Sequence, residues 1–177
     1  LNGSSLSMME EHVLGSRSPL YGRRTGQWQL QPFDLLQFRG FFPELSVTSL
    51  METFAVVGGV PFYALQFDPR QSLADNVKAN ILAKGSVLYQ EVPFLLREEV
   101  REPRSYFPIL AAIASGSRKF GEISSKTGLD KPNLGKYLAS LADLRLVRRE
   151  VPVTEPDPAK SKKGLYFVDD PFVDFWL

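Results

Sequence analysis

The 177-residue chain contains no cysteine and a single histidine, His12. Disulfides, zinc–thiolate sites and a cysteine nucleophile are therefore excluded, and one histidine is too few for a histidine-based metal site or triad. His12 reads as a surface or helix-end residue. No Gly-x-x-x-x-Gly-Lys-[Ser/Thr] occurs, and no apolar strand ends in a pair of acids able to hold magnesium. Phosphoryl transfer needs backbone N–H groups and a lysine around the phosphates and a carboxylate on the metal. The chain by itself is thus not expected to hydrolyse a nucleoside triphosphate. No apolar run approaches the roughly 20 residues of a membrane span, and no signal-peptide pattern is present. The chain does not begin with methionine and stops inside the aromatic stretch Pro171–Leu177. It is expected to be a piece of a longer cytoplasmic protein. Charge of one sign is also lacking: 21 basic and 20 acidic residues give +1. Residues 1–103 hold 9 basic and 11 acidic residues, a balance of −2, against 12 and 9, or +3, from Arg104 onward. That asymmetry permits a polyanionic partner without demanding one. What the chain has in quantity is apolar content, 44% hydrophobic and 12% aromatic. That suffices for a sizeable core, and for two compact units more easily than one.

Ser105–Val168 carries the clearest pattern. Phe107, Leu110, Ile113 and Ala114 share one face of an amphipathic helix that Gly116 closes. Phe120–Lys126 makes a second, short helix with Phe120 and Ile123 inward, ended by Gly128. Asp130 suits the N-cap of a third, with Pro132 in its first turn and Leu134, Tyr137, Leu138, Leu141 and Leu144 along it. Leu146–Val153 and Leu165–Val168 read as strands around the polar stretch Thr154–Gly164. Three helices followed by a β-hairpin make a winged helix-turn-helix.

Before it, Ser7–Leu14 has helical character and Gly15–Gly26 is a loop. Gln27–Leu30 alternates as a short strand. Helices are expected over Phe33–Phe42, over Ser46–Val57 with Leu50, Phe54 and Val57 on one face, over Leu73–Leu82, and over Tyr89–Glu102 with Pro93 in its first turn. Gly58-Gly59-Val60-Pro61 interrupts: two glycines let the backbone approach something closely, and proline offers a rigid apolar face. On its own the tetrapeptide is better explained by a tight turn between helices with no ligand; the surrounding order of motifs reverses that preference.

The order of these features resembles the C-terminal part of archaeal and bacterial P-loop ATPases of the AAA+/STAND type. It runs through Gly3-Ser4, the loop Ser18–Gly26, Trp28–Leu30 with Pro32-Phe33, the Gly58–Tyr63 turn, Leu96–Glu99, Gly128–Lys131 and Lys162–Tyr166. The resemblance covers essentially the whole chain. It implies a mainly α fragment: a C-terminal remnant of an α/β ATPase core over 1–32, a helical lid over 33–103 and a winged helix over 104–168. Residues 169–177 would be a packed tail or the start of a following domain, with Phe172 inward and Trp176 toward what is missing. The implied cofactor is ATP, with Mg in the full-length protein, whose main phosphate and metal ligands lie outside this chain. Nucleotide would be sensed by Gly59 and Pro61 in the lid turn, by Arg24, whose guanidinium fork matches phosphate oxygens, and by Ser4 at a strand end. Ser4 stands where related AAA+ proteins carry asparagine.

The expected nucleic-acid face comprises Lys131, Asn133 and Lys136 on the third helix and Lys162 and Lys163 on the wing. Gly135, Ala139 and Asp143 on the same helix face oppose a rich readout, which favours phosphate over base contacts. Arg145, Arg148 and Arg149 cluster at the helix end and first strand, where pairing with Glu150 competes. The alternative to an ATPase fragment is a stand-alone winged-helix DNA-binding regulator. A protein partner or self-association through the winged helix is the third use of such a module.

Overall fold

The computed structural model describes residues 28–100 and 102–177, together with Ser18, Thr25 and Gly26. Nine α-helices and one antiparallel pair of strands make up the regular structure of these residues, joined by short 3₁₀ and π turns.

The first half is a helical bundle. Asp34 caps α1 (Leu35–Phe38): its carboxylate accepts the Gln37 N–H at 2.8 Å while the Gln37 amide oxygen accepts the Asp34 N–H at 3.1 Å, a reciprocal cap. The helix tightens at once into a 3₁₀ turn over Arg39–Phe41, so the helix expected over Phe33–Phe42 is shorter and mixed. Gly40 inside it and Pro43 beyond it account for this, since one weakens a helix and the other cannot continue it. Ser46 caps α2 (Val47–Val57), which buries Leu50, Thr53, Val56 and Val57. Pro61 occupies the first turn of α3 (Pro61–Ala64). α4 (Leu73–Val77), capped by Ser72, widens into a π turn over Lys78–Leu82. A 3₁₀ turn over Val87–Gln90 leads into α5 (Glu91–Glu99); the helix expected from Tyr89 therefore begins later, with Pro93 in its first turn.

The second half is a winged helix-turn-helix. α6 (Pro103–Ala114) starts at a proline and carries Pro108 inside it, which deletes one backbone bond on the exposed side. Ile109, Leu110, Ala112 and Ile113 are its buried face. α7 (Phe120–Thr127) ends at Gly128, which is left-handed with φ 70°, and Asp130 caps α8 (Lys131–Asp143) by accepting the Asn133 N–H at 3.1 Å. β1 (Val147–Glu150) pairs antiparallel with β2 (Leu165–Val168), Val147 opposite Val168 and Glu150 opposite Leu165. Lys119 adds a bridge to Leu165, and the Tyr166 N–H donates to the Arg118 carbonyl at 2.9 Å. β1 stops at Glu150, short of the expected Val153; Pro152 has no N–H to give to a longer ladder.

One continuous core runs through both halves, from Phe38 and Val57 through Leu88 and Leu96 to Ile109, Leu134, Leu141 and Phe172. α9 (Pro171–Trp176) closes it, packing on α2.

Two expectations fail here. Trp28–Leu30 is not a strand: the described residues offer no neighbour to pair with it, and Trp28 is 91% and Leu30 87% exposed. Trp176 does not face outward to a missing domain. Its indole N–H donates to the Leu88 carbonyl at 3.2 Å and its ring meets the Phe107 ring edge-on at 6.3 Å. Phe172 is fully buried, stacked 4.2 Å from Tyr63.

Candidate nucleotide-facing turn and nucleic-acid face

The winged helix presents its third helix on a well-defined seat. Leu134, Leu138 and Leu141 are buried at a spacing of 4 and 3 residues, so the opposite face must be outward. Asn133 and Lys136 lie away from the leucine stripe and Lys131 stands at the helix start, and all three are exposed. Neither lysine is in an ion pair among the described residues. Gly135 lies beside them with no atom within 4 Å of where a Cβ would stand.

The wing is a stapled loop. The Arg149 guanidinium donates to the Pro158 carbonyl at 2.9 Å and the Ser161 carbonyl at 2.5 Å. Gly164 exists beside it because a side chain there would run into that guanidinium. Glu155 accepts from Lys163 at 2.6 Å and from the Ser161 hydroxyl at 2.8 Å, and these bonds hold its carboxyl below the usual range, Lys163 contributing most. Lys163, expected to meet a nucleic acid, is thus engaged by a carboxylate of its own loop. Lys162 is exposed and in no ion pair among the described residues. Lys160 lies 3.5 Å from Asp157.

Of the three clustered arginines, Arg148 pairs with Glu150 at 2.8 Å and Asp169 at 3.2 Å. The Arg145 guanidinium bonds the side-chain oxygens of Gln31 and, at 3.1 Å, Gln29. Arg118 is a basic residue that sequence reasoning missed. It stands just before α7, exposed, 4.5 Å from the Phe167 ring centre, with Arg148 5.0 Å from the same ring. Only the strand pairing that brings Phe167 to it gives it a place, and no local spacing signals that.

The Gly58–Pro61 turn lies against the start of α9. Gly58 has φ 65° and ψ −161°, a combination essentially reserved for glycine, and a Cβ there would stand 3.2 Å from Pro171 Cδ. Gly59 packs directly on the Phe33 backbone, its carbonyl accepting the Phe33 N–H at 2.8 Å. Both close approaches are therefore to the chain itself. Pro61 and Phe62 are exposed, Phe62 at 45%, and form the apolar surface of the turn. Ser4 and Arg24 lie outside the described residues. A groove of about 290 Å³ between α2 and the 67–76 loop is lined by Ser49, Glu52, Asp68 and Asn76 among others, and holds none of the expected site residues.

Residues 108–149 match the model of the bacterial regulatory protein ArsR family. The match runs from within α6 to β1, the helix-turn-helix itself. The chain is 37% identical over 175 residues to an uncharacterized protein of Methanocaldococcus jannaschii, a match that takes in 99% of this chain and 39% of that one. In fold it is similar to the Walker-type ATPase of Pyrococcus abyssi, with a TM-score of 0.58 and 24% identity over 92% of this chain and 47% of that one. The chain thus spans less than half the length of either. The fold likeness embraces bundle and winged helix together, so the pairing of these two units is an architecture found in another solved protein.

Proposed function

We propose that this chain is the nucleotide-sensing and DNA-contacting half of a P-loop ATPase of the AAA+/STAND type. The observation that carries this reading is the likeness in fold to a Walker-type ATPase across 92% of the chain. ATP with Mg would be held chiefly by a core outside this sequence; bound there, it supplies the charge and the bond whose cleavage distinguishes two states. This chain would contribute Arg24 and Ser4 toward the phosphates and the lid turn toward the base. The fit of that turn is through Pro61 and Phe62, whose apolar faces are open, and less through Gly59, whose free side is filled by Phe33. The nucleotide state would pass through the bundle to the winged helix, where Lys131, Asn133, Lys136 and Lys162 face duplex DNA and contact mainly phosphates.

Nucleotide and DNA binding by the full-length protein that contains this chain test the reading. Arg24→Ala and Pro61→Ala are each expected to weaken MgATP binding. Lys131→Ala and Lys136→Ala are each expected to lower the slope of log K against log salt by about 0.9 on duplex DNA. A full-length protein that ignores ATP refutes the ATPase reading. The ArsR-family match over 108–149 would then favour a DNA-binding regulator in which the bundle serves as an effector or dimerisation unit.

A further inference from the structure

The wing and the glycine turn, about ninety residues or more apart in sequence, meet through the C-terminal helix. β2 ends at Val168 and α9 begins at Pro171, with only Asp169 and Asp170 between. Neither is slack. The Asp169 N–H donates to the Leu146 carbonyl at 3.0 Å, and Arg148 holds the Asp169 carboxylate at 3.2 Å and the Val168 carbonyl at 3.3 Å. Asp170 accepts the N–H groups of Phe172 at 2.8 Å and Val173 at 3.2 Å. The helix is thus joined to the hairpin by a two-residue connection in which both residues are hydrogen-bonded.

At its other side the helix is seated in the bundle. Pro171 lies against Gly58, Phe172 stacks on Tyr63 at 4.2 Å, and Trp176 bonds the Leu88 carbonyl at 3.2 Å. Tyr63 is in α3, the helix that Pro61 starts, and its hydroxyl donates to Glu91 at 3.2 Å. Gly59, next along, is bonded to Phe33. The turn therefore has the incoming chain on one flank and α9 on the other. A displacement of Gly58–Tyr63 cannot occur without either breaking the Pro171 and Phe172 contacts or moving them. Close-packed interiors respond to such a push by switching contacts, since they have little room to deform smoothly.

We infer that α9 is the relay between the lid turn and the wing: the Gly58–Pro171 and Tyr63–Phe172 contacts carry the position of the turn to β2 and hence to the DNA-facing loop. This rests on the nucleotide reading above for its physiological trigger, whereas the coupling itself is a property of the packing.

Hydrogen exchange by mass spectrometry on the full-length protein tests it in two arms. Without nucleotide, Phe172→Leu keeps an apolar residue and removes the ring stack; exchange is expected to rise several-fold both in 58–65 and in the hairpin strands 147–150 and 165–168. The 68–76 loop should be unchanged. A rise confined to 171–176 overturns the relay. Pro171→Ala is a milder variant should Phe172→Leu fail to fold, and the same joint rise is expected at smaller size. With MgATP, the wild type is expected to change protection in 58–65 and in 165–176 together, and Pro171→Ala to keep the first change and weaken the second. A response in 58–65 alone in the wild type refutes the relay. No response in either segment, alongside the expected joint rise without nucleotide, removes nucleotide as the trigger at the turn and leaves the relay standing; MgATP binding measured on the same protein decides the ATPase reading separately.

Discussion

Replacing Gly58 by alanine separates two kinds of cost at one position. The first is conformational. At φ 65° and ψ −161° a residue with a Cβ is held in a region worth roughly 1–3 kcal/mol of strain. The second is steric: the new methyl would stand 3.2 Å from Pro171 Cδ, and a proline ring fixed in the first turn of α9 cannot swing away. Overpacking of this kind typically costs about 1–3 kcal/mol. Taking the middle of each gives about 4 kcal/mol. At roughly 2–4 °C per kcal/mol for a chain of this size, Gly58→Ala should lower the midpoint of thermal unfolding by about 8–16 °C. Gly128→Ala is the control for the first cost alone. That residue is left-handed at φ 70°, and nothing lies within 4 Å of its would-be Cβ, so about 1–2 kcal/mol is expected there. Pro171→Ala in the Gly58→Ala background should recover the steric part and leave the conformational part. Circular dichroism melts of the three variants and the wild type suffice. If Gly58→Ala costs no more than Gly128→Ala, or if Pro171→Ala recovers nothing, the contact between turn and terminal helix is not the constraint described here.

Two further outcomes follow from single residues. Asn76 is 3% exposed and binds the Asp68 N–H at 2.7 Å and the Asp68 carbonyl at 2.9 Å; Asn76→Ala leaves both without that partner and should cost about 2–4 kcal/mol by urea titration, whereas Asn80→Ala nearby should cost less than 1 kcal/mol or so. Glu155 has its carboxyl held low chiefly by Lys163, so its contribution to the wing is fully present above the ordinary carboxylate range and is lost as pH falls below that range through the lowered native value. Amide shifts of 155–163 in NMR spectra should therefore move on acidification, and Glu155→Gln should produce the same shifts at neutral pH. Unmoved shifts in Glu155→Gln would show that Arg149 alone organises the loop.

What was legible in the sequence was local. Asp130 as a cap, Gly116 and Gly128 as stops, and the leucines of α8 are each decided by neighbours within one or two turns, and each stands where the spacing puts it. The mainly helical architecture with a terminal winged helix follows from them. The misreadings are long-range. Trp28–Leu30 alternates like a strand, but a strand needs a partner, and the side chains of Gln29 and Gln31 meet Arg145 instead. Trp176 looked like an edge facing another domain because its acceptor, the Leu88 carbonyl, is 88 residues away in the chain. The glycine turn was legible as a place of close approach, but which atoms approach was not: Phe33 on one side and Pro171 on the other are set only by the fold.

Arg145 makes a second long-range tie. With φ 57° it is the one non-glycine residue at positive φ among those described, in a helix-ending position where glycine would avoid about 1–2 kcal/mol of strain. Its N–H donates to the Ala142 carbonyl at 3.0 Å, and the Leu146 N–H reaches back to Leu141 at 2.9 Å, so the turn out of α8 is closed by the backbone whichever residue stands there. What glycine would not supply is the guanidinium on Gln29 and Gln31. That pair of bonds ties the segment entering from the N-terminal side to the end of α8, and four residues after Gln29 the same segment meets Gly59 at Phe33. The winged helix is thereby held at two places, by Arg145 to 29–31 and by α9 to Gly58 and Tyr63. Both holds end within a few residues of the Phe33–Gly59 bond, one through Phe33's own segment and the other through Gly58 and Tyr63.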